Sequence, residues 1–193
     1  MSFQFLSSFN WVDILIIVIA ARVIFIGAQK GLVIELFKLI GIFLTTFFTL
    51  HFYIRLGKFL HKFLFIPVFL EETISFIFLV ILFIVIFKFI RDGFLLLIKA
   101  EAQPTINQWG GAIVGSLRSI LICGLIINLF FVIGTKYLAN KAQNSFFGYY
   151  LVDLSPKIYE ACYKGFVSKL FPNEEYNKEV FSLKNPSEKK KEK

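Results

Sequence analysis

Residues 31–52 read GLVIELFKLIGIFLTTFFTLHF, from Gly31 to Phe52, an apolar run interrupted by Glu35, Lys38, Thr45, Thr46 and Thr49. A bilayer hydrocarbon core about 30 Å thick is crossed by about 20 apolar helical residues, which this stretch supplies. Amides in lipid have no solvent to bond, so the segment must satisfy its backbone internally, as a helix does. At about 100° per residue, Gly31, Glu35, Lys38, Thr45, Thr46 and Thr49 fall within one sector about 100° wide. The run therefore predicts a transmembrane helix with one polar face. A barrel strand would instead alternate apolar and polar residues in segments of about ten.

Three further runs have the same character: about 12–27, 73–90 and 110–137. The whole 193-residue chain is 57% hydrophobic and only 18% charged, with a mean hydropathy of +0.72. Soluble domains average about 45–50% apolar and about 25% charged. Composition thus excludes a disordered chain, a disulfide scaffold and an ordinary soluble enzyme, and predicts an all-α integral membrane protein with a bundle of four transmembrane helices. Residues 1–9 form an N-terminal segment and 10–137 the membrane domain. Residues 1–10 hold no Lys or Arg and no small-residue cleavage site follows, so the first run is expected to be a span and not a removed signal. Residues 28–30 should join spans one and two as a tight antiparallel hairpin, and 51–72 should lie along the membrane interface with His51 and His61 solvated. Residues 138–172 read as a surface segment whose part from 155 to 170 is a short amphipathic helix, with Ile158, Ala161, Cys162 and Phe166 on one side and Glu160 opposite Lys164. Residues 173–193, rich in Lys and Glu, are expected to be a disordered basic tail.

The net charge of +8, from 21 Lys+Arg and 13 Asp+Glu, is not read as a nucleic-acid signal. It gathers in the tail and beside apolar runs, where anionic headgroups are the natural counter-charge. Basic residues near the span ends divide almost evenly between the two sides, leaning towards a cytoplasmic hairpin turn. Cys123 and Cys162 make no framework.

Charges inside spans carry the functional information, because each costs about 2.5–3.5 kcal/mol at a helix centre on insertion scales. From the rise per residue, Glu35 lies roughly 6 Å inside span two, Arg118 roughly 12 Å inside span four and Arg22 roughly 8 Å from the end of span one. All three share one half of the membrane. Glu35 is expected to pair with Arg118, Arg22 or both, with Lys38 on the rim. Such a cluster serves either as glue between helices or as a direct part of transport or signalling. Gly31 lies on the polar face of span two, and Gly111 and Gly115 give span four a small-residue face for close helix packing. Asn10 followed by Asp13 reads as a helix N-cap with an acidic third position. No metalloprotease His-Glu-x-x-His, phosphate loop or Gly-x-Ser-x-Gly elbow is present. Asp13 and Glu35 lie near opposite faces, too far apart to act on one bond. Catalysis, cofactor and metal are therefore not expected.

Asn10-Trp11-Val12-Asp13 is followed by Lys30-Gly31-Leu32-Val33-Ile34-Glu35, and later by Asn107-Gln108-Trp109-Gly110-Gly111, Gly115 and Leu117-Arg118. In order and spacing this resembles the colicin V production protein (CvpA) family of small bacterial inner-membrane proteins, with Arg-Gly-Phe and a Glu four residues after the Gly, and Asp-x-x-x-Gly-x-x-x-Gly-x-x-Arg-Gly at the last span. Lys30, Asn107 and Ser119 replace the family's Arg, Asp and Gly. The resemblance covers about 9–137, more loosely to 170. It implies a protein of the bacterial inner membrane, supporting colicin V production or export and envelope homeostasis as a small transporter or accessory subunit. The alternative is a scaffold that self-associates through its glycine-rich faces and recruits partners or anionic lipid. Expected partners are the lipid bilayer and a second copy or an export-system component, with no nucleic acid.

Overall fold

At the start of the first helix Asn10 and Asp13 satisfy amides that a helix leaves unpaired. The Asn10 side chain accepts from Val12 N at 2.8 Å, and Asp13 Oδ2 accepts from Asn10 N at 2.9 Å. This reciprocal box opens α1, Trp11–Lys30. The computed structural model describes residues 9–64, 67–97, 104–170, 174, 176–177 and 179–182. Three more long helices follow: α2 (Leu32–Leu64), α3 (Val68–Leu97) and α4 (Pro104–Val132). Each of the four contains a stretch long and apolar enough to cross a membrane. The described residues contain helices and no strand.

Only Gly31 separates α1 from α2, with φ +86°, a backbone region that L side chains rarely adopt. Its N–H donates to the Gly27 carbonyl at 3.1 Å. The tight reversal agrees with the sequence, but the expected hairpin packing does not occur. α1 lies along α4, while α2 packs on α3 and α4 and touches α1 little. Glycine explains this choice. A Cβ on Gly27 would stand 2.6 Å from the Gly111 carbonyl oxygen and 3.2 Å from the Gly115 Cα. The two backbones are therefore in contact, gaining dispersion and weak Cα–H···O attraction that no larger side chain permits. The glycine face proposed for self-association is thus covered within the chain.

Along α2 and α3 the aromatic pairs Phe37–Phe94, Phe48–Phe83 and Tyr53–Phe76, with ring centroids 5.6, 4.9 and 5.8 Å apart, run in opposite directions and fix an antiparallel register. Leu50, Tyr53, Phe76 and Ile127 are fully buried at the centre.

Several boundaries differ from the sequence reading. The 51–72 segment is not an interfacial link: α2 continues to Leu64 and α3 begins at Val68, directly after Pro67. Its 33 residues make α2 about 50 Å long, well beyond the hydrocarbon thickness. His51 is accordingly buried, not solvated. α3 runs to Leu97, and α4 opens on Pro104, whose fixed φ suits the first turn of a helix. α4 stops at Val132, short of the expected 137, because Gly134 adopts φ +73°. Three short helices then fold under the end of the bundle: α5 (Lys136–Gln143), α6 (Phe146–Leu151) and α7 (Leu154–Cys162), continued by a π-helical turn at Tyr163–Val167. α7 turns a different side inward from the one expected. Ser155, Pro156 and Tyr159 face the bundle and are buried, whereas Ala161 is exposed. The Glu160–Lys164 pair is present at 2.5 Å.

The backbone contact between α1 and α4 gives a direct test. Gly111→Val should lower the detergent-solubilised protein's unfolding free energy by about 1–3 kcal/mol, the usual range for overpacking. Gly93→Ala, where an added Cβ meets nothing within 4 Å, should be neutral or stabilising by up to about 1 kcal/mol. Thermal unfolding followed by circular dichroism checks both.

Candidate functional site: a charged cluster beside a basic intramembrane cavity

The first turn of α2 carries Glu35, which is 0% exposed. One oxygen, Oε1, accepts from Lys38 Nζ at 2.5 Å, one helical turn on. The other, Oε2, faces Arg118 Nη1 of α4 at 2.7 Å. A carboxylate so fully removed from water is tolerable only with counter-charge at contact distance. Lys38 and Arg118 are themselves largely buried. Arg118 Nε is buried with no hydrogen-bond partner among the described residues, so its guanidinium is not used up by Glu35.

Asn107 brings these helices into register. Its Oδ1 accepts from the free Leu32 N–H at the start of α2, at 2.7 Å. The asparagine thereby performs, from a neighbouring helix, the task of an N-cap. A Cβ on Gly31 would collide with the Asn107 amide, so glycine is required there for space as well as for conformation. Below the cluster on the α2 face, Thr45 and Thr46 donate to the carbonyls of Gly41 and Ile42 at 2.8 and 2.9 Å, while the buried Thr49 hydroxyl has no hydrogen-bond partner among the described residues.

Beside the cluster lies a cavity of about 230 Å³ between α2, α3 and α4. Its walls carry Lys38, Lys88, Arg91 and Arg118 together with apolar Phe37, Ile84 and Phe87. Arg91 is paired with its neighbour Asp92 at 2.6 Å. Lys88 is exposed and has no ion-pair partner among the described residues. In sequence Lys88 and Arg91 read only as charges flanking span three. Their i,i+3 spacing shows a common face, but nothing local shows that this face meets Lys38 and Arg118.

Arg22 does not join the cluster. It is exposed on α1, and Arg118 and Lys38 already fill the two sides of the Glu35 carboxylate, so the expected Arg22 pairing is corrected. Gly111 and Gly115 meet Gly27 and lie outside the cavity. Asn10 and Asp13 sit at the opposite end. There Asp13 Oδ1 accepts from Ser145 Oγ at 2.6 Å and from Phe147 N at 2.9 Å, and Asn10 Nδ2 donates to the Lys141 carbonyl at 2.8 Å. These residues lock α5 and α6 beneath α1.

The same end holds a second polar chain that sequence reading missed. Asn177 N donates to Tyr159 Oη at 2.9 Å, and Tyr159 Oη lies 3.0 Å from His51 Nδ1. His51 Nε2 lies 3.0 Å from Glu174 Oε1, which also pairs with Arg55. Donors and acceptors match along this chain when His51 carries its proton on Nε2. Burial pushes the Tyr159 hydroxyl up to about 12. Hydrogen bonds from His51 and Arg55 hold the Glu174 carboxyl below the usual glutamate range. Part of the segment expected to be disordered is therefore docked: Asn177 Nδ2 donates to the Leu50 carbonyl at 2.7 Å, and Val180, in the short helix Glu179–Ser182, is buried. The expectation for 183–193 falls outside the described residues. Two histidines on one helix make no metal centre, and the described residues contain no group of three or more His, Cys, Asp or Glu able to hold one.

The family profile described as colicin V production protein matches residues 12–156, well over half of the chain. The chain belongs to the colicin V production protein family. That membership, with four membrane-crossing helices, makes it a multi-pass membrane protein with a CvpA-like role in colicin V production. Comparison with curated proteins and with solved structures returns no significant match. The matched residues include Glu35, Lys38, Asn107 and Arg118, hence the whole charged cluster and its registering asparagine.

Glu35→Gln should destabilise the protein by about 3–5 kcal/mol, since it leaves Arg118 buried without its partner. The double variant Glu35→Gln with Arg118→Gln should recover most of that loss, measured by thermal unfolding in detergent. A second prediction concerns the docked segment. Because the Glu174 carboxyl titrates below its ordinary value of 4.5, its stabilisation is complete above that value and is lost as pH falls through the lower folded-state value. Protection factors of the amides across 174–182, corrected for the intrinsic pH dependence of exchange, should therefore fall as pH is lowered from about 5 to about 3 in the wild type, with a weaker pH response in Glu174→Gln.

Proposed function

We propose that this chain is a non-enzymatic protein of the bacterial inner membrane that supports colicin V export, and with it envelope homeostasis, as an accessory subunit acting through the Glu35–Lys38–Arg118 cluster. The observation that carries this reading is a one-sided cavity. It reaches Ile42, Thr45 and Ile122, and beyond that depth Phe47, Leu50, Tyr53, Phe76 and Ile127 fill the interior. A conduit working alone would need a polar path through this layer, where desolvating a charge is costly. An accessory subunit needs only a stable polar site accessible from one side. Retention of charged groups inside the membrane, where an apolar core of the same volume would serve stability as well or better, favours a working site over simple adhesion.

The test is colicin V secretion from a producing strain lacking this protein, complemented with wild type, each single variant, or the double variant Glu35→Gln with Arg118→Gln. Secretion is normalised to the amount of protein in the membrane. The double variant should return to wild-type membrane level yet secrete about tenfold less, the loss of one charge-assisted contact. Full recovery of secretion would reduce the cluster to structural glue. Purified protein in liposomes should move no solute unaided. Solute flux that disappears in Arg118→Gln would replace the accessory role with transport by the chain itself.

A further inference from the structure

Four cationic side chains, Lys38, Lys88, Arg91 and Arg118, line one small cavity whose described walls include no carboxylate. Glu35 lies behind this wall, bound to Lys38 and Arg118, and Asp92 neutralises Arg91 from the outside. That leaves an excess of positive charge converging on one space inside the membrane domain. Like charges at such range repel strongly when water is scarce. Two observations among the described residues show unused binding capacity: Lys88 has no ion-pair partner, and the buried Arg118 Nε has no hydrogen-bond partner.

Depth and lining define the chemistry that would fit. Lys88 lies about 12 Å, and Arg91 about 8 Å, from the Leu96 end of the α3 span. This is the zone between headgroups and acyl chains. Lysine and arginine together suit a phosphate oxygen cluster, the guanidinium offering a fork and the ammonium a point charge. The rest of the wall is apolar, with Phe37, Phe87 and the exposed Ile84 leading from the cations towards the membrane. Basic pockets between transmembrane helices are a recurrent way of holding anionic headgroups.

We propose that the cavity between α2, α3 and α4 is a binding site for an anionic phospholipid, its phosphodiester held by Lys88, Arg91, Lys38 and Arg118 and an acyl chain lying along Ile84 and Phe87. The site does not depend on the role in colicin V export, and its test uses no toxin. Full-length protein in uncharged detergent is titrated with phosphatidylglycerol, with phosphatidylcholine and with inorganic phosphate, following bound lipid by native mass spectrometry and stability by thermal unfolding. Phosphatidylglycerol should bind and raise the melting temperature, whereas phosphatidylcholine and phosphate should do neither. The variant Lys88→Gln with Arg91→Gln, which leaves the Glu35–Arg118 pair intact, should bind phosphatidylglycerol about tenfold more weakly. Lys88→Arg should retain it. The control Lys58→Gln with Lys136→Gln, at the opposite end of the bundle, should bind as wild type.

Equal binding of the two lipids, or unchanged affinity in the Lys88/Arg91 variant, overturns the proposal. Full stabilisation by inorganic phosphate alone would assign the cavity to a free anion and overturn the lipid assignment. Loss of binding in the Lys58/Lys136 control would show general surface attraction and also overturn it. Circular dichroism of each variant separates lost binding from lost folding.

Discussion

A carboxylate at zero exposure inside a lipid-embedded bundle constrains everything around it. Glu35 cannot reach water, so α4 must present Arg118 at its depth and α2 must supply Lys38 one turn away. Satisfying that requirement sets the relative register of α2 and α4, which Asn107 then secures by capping Leu32. The cavity follows from the same geometry. Guanidinium and ammonium groups drawn inward to meet one carboxylate bring more positive charge than it neutralises, and α3 adds Lys88 and Arg91 to the surplus.

The two ends of the bundle are built by different physics. At the Gly31 turn, backbones approach closely and charge is concentrated in a small volume. At the other end, neutral and ionic hydrogen bonds tie later segments to the start of α1 and the middle of α2. Asp13 takes Ser145 and the Phe147 amide, while His51, Tyr159 and Asn177 form a continuous chain ending on Glu174. This division places the anchored, polar-capped base away from the basic cavity.

The helical character of the four spans was legible because lipid leaves a long apolar run few alternatives to a helix. The Asn10–Asp13 cap was legible because it is local, requiring only three residues of spacing. The pairing of Glu35 with Arg118 could be anticipated from depth alone, since two opposite charges at similar height in a bundle have strong reason to meet. Arg22 satisfied the same depth argument and failed, because depth does not say which way a helix turns its face. The extent of α2 past Phe52 was misread because Arg55, Lys58 and Lys62 signal the end of a membrane span, whereas a helix that makes its own backbone bonds need not end where the span does. His51 was misread for a related reason: the side chains that bury it, Tyr159 and Glu174, come from more than a hundred residues away.

By itself the amino-acid sequence determined the helical membrane architecture, the N-cap of α1 and the family, since these depend on composition, local spacing and ordered motifs. Only the tertiary structure decided that α1 lies against α4 and not α2, that the glycines serve contact within the chain, and that Lys88 and Arg91 share a cavity with Lys38 and Arg118. Those outcomes rest on which helix faces can approach most closely. That is a property of two surfaces together, and neither run of residues contains it alone.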